Sequence, residues 1–342
     1  MTGLLKVAGV GCGYFSQFHF EAWKRLPVDL VAVCDKDSIK AQEIASKFQV
    51  ETFYDDINKM LRKQTLDLLD IVLPPNQHSP TVMLALEHGV KNLICQKPFT
   101  DNLSEARDVA NATNAKDAFL IIHENFRFQP WYEQIKNQID DGALGEIYQI
   151  GFRLRPGDGQ GPEAYLDRQP YFQKMSQFLV RETAVHFVDV FRFLLGEPTR
   201  VWADLRKLNP DIAGEDAGCF IFDYDGKQRA LFDGNRLSDH AAQNRRLTMG
   251  EMFIDGSNAS LRLDGNGRIL TRKHGQNDEH ELKYDWNNNG FGGDCVYRLQ
   301  THVVDHLVNG TPIINDINNY LVNLEIVDAL YKSNESGQWV GI

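Results

Sequence analysis

The chain has 342 residues, and 36 Lys and Arg against 47 Asp and Glu leave it a net charge of −11, with no basic block to follow a nucleic-acid backbone. Apolar content of 42% and charged content of 24% are those of a globular protein, long enough for two domains with a core each. No apolar stretch approaches the roughly 20 residues of a membrane span, and the N-terminal segment has no secretory h-region, so a cytoplasmic protein without membrane or nucleic-acid partners is expected. Five scattered cysteines without a C-x-x-C predict neither disulfides nor zinc, and no metal ligands are assigned.

In chain order, Leu4–Ala8 reads as a strand that runs into the turn Gly9-Val10-Gly11-Cys12-Gly13-Tyr14-Phe15-Ser16, with a helix from about Gln17. Such a turn lets backbone approach a pyrophosphate and aims the following helix's N–H groups at it. A second strand, Leu30–Cys34, ends on Asp35, about 24 residues beyond Gly11 and near the offset of an acid that holds a ribose 2′-hydroxyl. Helices are expected from about Ile39 to Lys47 and Asp56 to Lys63, then a strand from Leu66 to Leu73, broken by Pro74-Pro75-Asn76-Gln77-His78. A helix through Pro80 to Glu87, a strand from Val90 to Cys95 ending in Gln96-Lys97-Pro98, a helix from Leu103 to Lys116 and the strand Phe119–Ile122 follow. This alternation predicts a doubly wound parallel α/β sheet of the Rossmann type over residues 1–123.

From residue 124 to 342 an α+β domain with a largely antiparallel sheet, one face open, is expected. Its helix Pro130–Asp141 and strand Glu146–Arg155 lead to a Gly/Pro-rich loop, and an apolar helix runs from about Phe178 to Leu195. Alternating runs then cover Arg200–Leu208, Ala217–Tyr224, Gln228–Asn235 and Arg246–Ile254, with hairpin turns at Asp225-Gly226 and Asp264-Gly265. Helices near Arg298–Val308 and Ile317–Lys332 close the chain.

Ligands of open parallel sheets sit at the carboxyl ends of the strands. The Gly11–Ser16 turn, Asp35, the Leu73–His78 loop and Gln96-Lys97 therefore converge on one crevice. A partly desolvated lysine at such a strand end suits proton transfer, although a surface lysine beside a turn proline is the plain alternative. In the apolar helix, Glu182 and His186 are four apart and share a face, so the carboxylate can orient the imidazole; an ordinary i, i+4 surface contact is the competing account.

Six segments, in order, resemble the glucose-fructose oxidoreductase / inositol dehydrogenase (Gfo/Idh/MocA) family over essentially the whole chain. They are Val10–His19, Val33-Cys34-Asp35, Asp70–His78, His88-Gly89-Val90 through Cys95-Gln96-Lys97-Pro98, Asn125–Pro130 and Glu182–Asp189. The resemblance implies an NAD(P)-dependent oxidoreductase of a sugar, polyol or related carbonyl compound. It implies Lys97 and His186 as the catalytic pair, with Glu182 orienting His186. It places the cofactor on Gly11, Gly13, Tyr14, Phe15, Ser16, Asp35, Lys36, Pro74, Asn76, His78, Gln96 and Lys97, and substrate on Asn125, Arg127, Arg153, Arg155 and Tyr165. Asp35 favours NAD, while Lys36 beside it softens the repulsion of a 2′-phosphate and leaves NADP open. Substrate is expected in the cleft between domains, and a homodimer or homotetramer through the second domain's sheet. Ser16 replaces the family's third glycine, Gln96 its usual glutamate before Lys-Pro, and Glu182 its commoner aspartate. A non-catalytic dinucleotide-binding regulator on the same fold is the alternative, but would have lost Lys97 or His186; a methyltransferase would not carry Gln96-Lys97-Pro98 before a β-rich second domain.

Overall fold

The computed structural model describes residues 3–100 and 102–342. The chain divides into two compact units, residues 1–125 with 296–322, and residues 126–295 with 323–342. A single cut after residue 123 therefore misplaces the 296–322 segment. That segment rejoins the first unit, where Ile122 N–H donates to Asn315 O and Asn315 Nδ2 donates to Glu124 O.

The first unit alternates β1 (Leu5–Val10), α1 (Ser16–Arg25), β2 (Val28–Cys34), α2 (Ser38–Phe48), β3 (Thr52–Tyr54), α3 (Ile57–Lys63), β4 (Leu68–Ile71), α4 (His78–Glu87), β5 (Asn92–Gln96), α5 (Leu103–Ala115) and β6 (Phe119–His123). All pairings are parallel, in the order β3-β2-β1-β4-β5-β6, the doubly wound arrangement expected of the apolar runs. Phe20 from α1 packs with Val33, Ala45, Phe48 and Val50 in the core. Helices α2, α3 and α5 start on Asp37, Asp56 and Asn102, each of which accepts backbone N–H bonds. Helix α1 instead starts on Phe15, with no side-chain cap and no acid in its first turn.

The second unit carries α6 (Pro130–Asp140), β7 (Ile147–Leu154), a π-helical turn (Leu179–Ala184), α7 (Val185–Leu195), β8 (Arg200–Arg206), β9 (Ala217–Tyr224), β10 (Gln228–Asn235), β11 (Gly250–Gly256), β12 (Ala259–Leu263), β13 (Ile269–Lys273) and β14 (His280–Leu282). Helix α8 (Cys295–Asn309) runs into the first unit. Helix α9 (Ile317–Ser336) leads back to the second unit and β15 (Val340–Gly341). The nine strands order β14-β13-β12-β11-β7-β10-β9-β8-β15, antiparallel except for β7 with β10. One face is aromatic: Phe152 stacks on Phe187 of α7 at 3.8 Å and Phe220 on Phe232 at 4.6 Å.

Two expected elements differ. Strand β11 starts at Gly250, not Arg246, because residues 245–248 form a turn. The helix expected from Phe178 begins as a π-turn, in which Val185 N–H reaches back to Val180 O. Glu215 brings this about: its carboxylate accepts from Phe178 N–H and Val180 N–H, and its carbonyl from Leu179 N–H. Among the described residues no helix is long and apolar enough to cross a membrane.

Candidate active site

In the first unit, the expected cofactor residues lie at the carboxyl ends of β1, β2, β4 and β5. Gly11 has φ +100°, and a Cβ there would lie 2.1 Å from Val72 O, so the turn can pass β4 only as glycine. Asp35 braces the turn from the other side, accepting Cys12 N–H at 2.7 Å and Asp37 N–H at 2.9 Å. Ser16 Oγ donates to Gly13 O at 2.7 Å, a tie a third glycine would not make. Gly13, Tyr14, Lys36, Pro74 and Asn76 are exposed around this ledge, and Phe15 is half-buried.

These features fit a dinucleotide. A Cβ on Gly13 would meet nothing within 4 Å, so the backbone is approachable, and the uncapped N-terminus of α1 offers its first-turn dipole to an anion. Asp35, half-buried at the end of β2, keeps lone pairs for a ribose.

His78 proves more structural than its loop position suggested. It is buried, with Nε2 2.7 Å from Leu73 O and Nδ1 3.0 Å from both Pro98 O and Phe99 O. It thus joins the β4 loop to the segment that carries Lys97. Lys97 is half-buried, its peptide to Pro98 is cis, and its N–H donates to Gln96 Oε1 at 2.9 Å. Burial, and then Asp35, push the Cys12 and Cys34 thiols up to about 12, and all five cysteines carry free thiols.

In the second unit His186, at the start of α7, is buried and lies flat on Phe126, with ring centroids 3.8 Å apart and planes 2° from parallel. Glu182 lies in the π-turn, so regular α-helical spacing does not describe its relation to His186. Thr183 Oγ1 donates to Glu182 Oε2 at 2.5 Å, and Arg236 Nη1 lies 3.6 Å from the same oxygen. Arg236, with 2% of its surface exposed, also donates to Thr183 Oγ1 and, through Nε and Nη2, to Asp158. Burial works against its charge, but Asp158, Tyr165 and Glu182 outweigh it and hold the guanidinium more firmly protonated than usual.

The structure separates the residues expected to touch substrate. Tyr165 is packed inward, with Arg236 over its ring at 4.8 Å. Arg127 is buried and spends Nε and Nη2 on Asp189, at 2.6 and 2.5 Å. Arg153 corrects the sequence-based expectation. With Arg155 it does share one face of β7, but that face is opposite to Phe152, which packs on α7. There Arg155 donates to Asp233 at 2.6 Å, so α7 and its His186 stand on the other side of the sheet. Asn125 is buried at the end of the first unit. Arg236, Asp158 and Glu215 carry no local sequence signal, because their partners lie tens of residues away. Among the described residues no group of three or more His, Cys, Asp or Glu could hold a metal ion.

A doubly wound sheet with a bare glycine turn, a ribose acid and a strand-end lysine defines a dinucleotide-dependent oxidoreductase. Residues 5–124 match the model of the oxidoreductase family with an NAD-binding Rossmann fold (GFO/IDH/MocA), and residues 132–262 match the family's C-terminal domain. The chain belongs to this family. It is 30% identical to D-apiose dehydrogenase of Paraburkholderia graminis, over 98% of this chain and 89% of that one. It is 27% identical to the NAD-dependent scyllo-inositol 2-dehydrogenase of Bacillus subtilis, over 98% and 96%. A crystal structure of an Agrobacterium radiobacter oxidoreductase with NAD+, L-tartaric acid and magnesium superposes with a TM-score of 0.87 at 26% identity, covering 98% of both chains.

Proposed function

We propose that the protein is an NAD-dependent dehydrogenase that oxidises a secondary alcohol of a sugar or polyol, with Lys97 and His186 as its reacting side chains. The observation that carries this is the placement of Lys97 at the end of β5, in the same sheet whose β1 and β2 ends hold the bare glycine turn and Asp35. The bound nicotinamide supplies a hydride acceptor, and everything else is the work of this chain. Gly11, Gly13 and the α1 N-terminus would hold the pyrophosphate, and Asp35 the adenosine ribose. Lys97 stabilises negative charge developing on the substrate oxygen. His186 removes the hydroxyl proton, its ring fixed by Phe126 and its helix by the Glu182–Arg236 contact. The named activities of the relatives put pentoses such as apiose and the inositols at the head of the substrate search. Asn125 is retained as a substrate contact; Arg127 supports the fold around α7.

The experiment is a screen of sugars, inositols and sugar acids with NAD, read at the reduced-nicotinamide band, with NADH and the matching ketones run in reverse. A substrate-dependent signal that disappears in His186→Ala and Lys97→Met, while NADH still binds, is expected. Full turnover in both variants would sink the assignment. The reading extends to a cytoplasmic location, which suits free and strongly protonated thiols, and to a homo-oligomer formed through the open sheet face.

A further inference from the structure

The carboxyl ends of β4, β5 and β6 place Asp70, Gln96 and His123 on the sheet face beneath α1, which adds His19 and Trp23. All are buried, and Asp70, His19, Trp23 and His123 have no exposed surface. A carboxylate so deep must be hydrogen-bonded. Asp70 Oδ2 accepts from the Trp23 indole at 2.7 Å and lies 2.8 Å from His19 Nδ1. A carboxylate only accepts, so Nδ1 carries the imidazole proton and Nε2 presents its lone pair. That lone pair faces Gln96 Nε2 at 2.8 Å. The orientation of the amide follows from its other end, where Gln96 Oε1 accepts Lys97 N–H at 2.9 Å; a flipped amide would set donor against donor. Gln96 Nε2 also lies 3.4 Å from His123 Nδ1, and the His123 ring stacks on His19 at 4.1 Å.

We propose that Asp70, His19 and Gln96 form a positioning relay that fixes the exit of β5, and with it Lys97, and that the His19 Nε2 lone pair selects glutamine over glutamate at position 96. A glutamate would turn a carboxylate oxygen onto that lone pair, and only an added proton would relieve the repulsion. The relay thus accounts for the amide beside Lys97-Pro98. It rests on Lys97 as a reacting group.

Two substitutions of His19 test it. In His19→Asn the short amide reaches Asp70 but offers Gln96 nothing; in His19→Gln the longer side chain returns an oxygen to the place of Nε2. With the substrate found by the screen, His19→Asn is expected to lower kcat by between about tenfold and a hundredfold, as small misplacements of reacting groups do. His19→Gln keeps most of kcat, and NADH affinity is unchanged in both. Equal kcat in the two variants, whether high or low, overturns the relay. Lys97→Met is assayed alongside: if it stays active the reading of Lys97 fails, whereas an inactive Lys97→Met with a fully active His19→Asn removes the relay alone. Histidine ring 15N spectra of the wild-type protein read the tautomer without an activity assay. A proton on Nδ1 of His19 is expected, and one on Nε2 overturns the proposal.

Discussion

Arg236 Nη1 stands 3.6 Å from Glu182 Oε2, and the Thr183 hydroxyl bridges the two, accepting from the guanidinium at 2.6 Å and donating to the carboxylate at 2.5 Å. The guanidinium also lies over the Tyr165 and Phe178 rings, each 4.8 Å from its carbon centre. One buried cation thus holds the 156–162 loop, through Asp158, to the π-turn before His186. Removing it would take the Arg236 charge away from buried Glu182 and from half-buried Asp158, which would keep Arg168 at 3.7 Å. Arg236→Met is expected to destabilise the protein by about 3–5 kcal/mol, the range for breaking a buried ion pair. Chemical denaturation with an unchanged slope would measure it; a loss below about 1 kcal/mol, the level of a surface pair, would show that the cluster holds little.

Gly11 and Gly13 sit two residues apart and predict opposite outcomes. Alanine at Gly11 meets Val72 O at 2.1 Å with φ +100°, so the turn or β4 must move, and stability falls by a few kcal/mol, as about 1–3 is typical of backbone strain alone. Alanine at Gly13 meets nothing within 4 Å and should leave the melting temperature unchanged. Its methyl group would instead occupy the ledge proposed to hold the pyrophosphate, so NADH affinity should drop tenfold or more, by about 1.4 kcal/mol or above. Titrating NADH fluorescence against both variants checks this. Normal NADH affinity in Gly13→Ala would move the pyrophosphate away from the turn.

The first unit was legible because its information is local: apolar runs of strand length, glycines at the turn, and acids or amides at helix starts all act within a few residues. Legibility failed where a partner was distant. Nothing in Phe178–Leu195 indicates a π-turn, since Glu215 and Arg236 hold it from the β-sheet side. The period of β7 correctly put Arg153 and Arg155 on one face, but which face lies beneath α7 depends on β10, β11 and the helix itself. His19 and Asp70 both lay in recognised motifs. An acid inside the apolar run Leu68-Leu69-Asp70-Ile71-Val72 is the sequence's signal of a buried polar partner.

Buried thiols contribute to the loss of stability expected at alkaline pH, alongside buried tyrosines that are raised by the same desolvation. Cys12 and Cys34 are raised from 9.0 to about 12, first by burial and then by Asp35. A group whose folded value is raised contributes stability that is whole below the unfolded value and is lost as pH rises towards the folded one. Stability should therefore hold up to about pH 9 and decline between pH 9 and 12, and Cys34→Ser should flatten that decline. Unfolding by urea at stepped pH measures it. A decline equally steep in Cys34→Ser would assign the loss to other groups.

The open face of the second unit's sheet ends in a continuous apolar row: Trp202, Ile221, Leu231, Gly151 and Phe253 are successive cross-strand neighbours through β8, β9, β10, β7 and β11. Phe253 is 38% exposed. On one side runs Asp204, Cys219, Asp233, Arg153 and Glu251, and on the other Arg200, Asp223, Arg229, Gln149 and Asp255. A second copy turned by a two-fold axis along this row would lay apolar row on apolar row and bring Asp204 and Asp233 of one copy against Arg200 and Arg229 of the other, as an isologous interface allows, with Glu251 facing Asp255 at its edge. Charge in the middle of such a row has no partner and is expensive to desolvate. The oligomer proposed to form through this face should therefore give way to smaller species in sedimentation velocity of Ile221→Lys, while Arg229→Lys, which keeps the flank's charge, should leave it intact. An unchanged sedimentation coefficient in Ile221→Lys would overturn the proposed contact through this face.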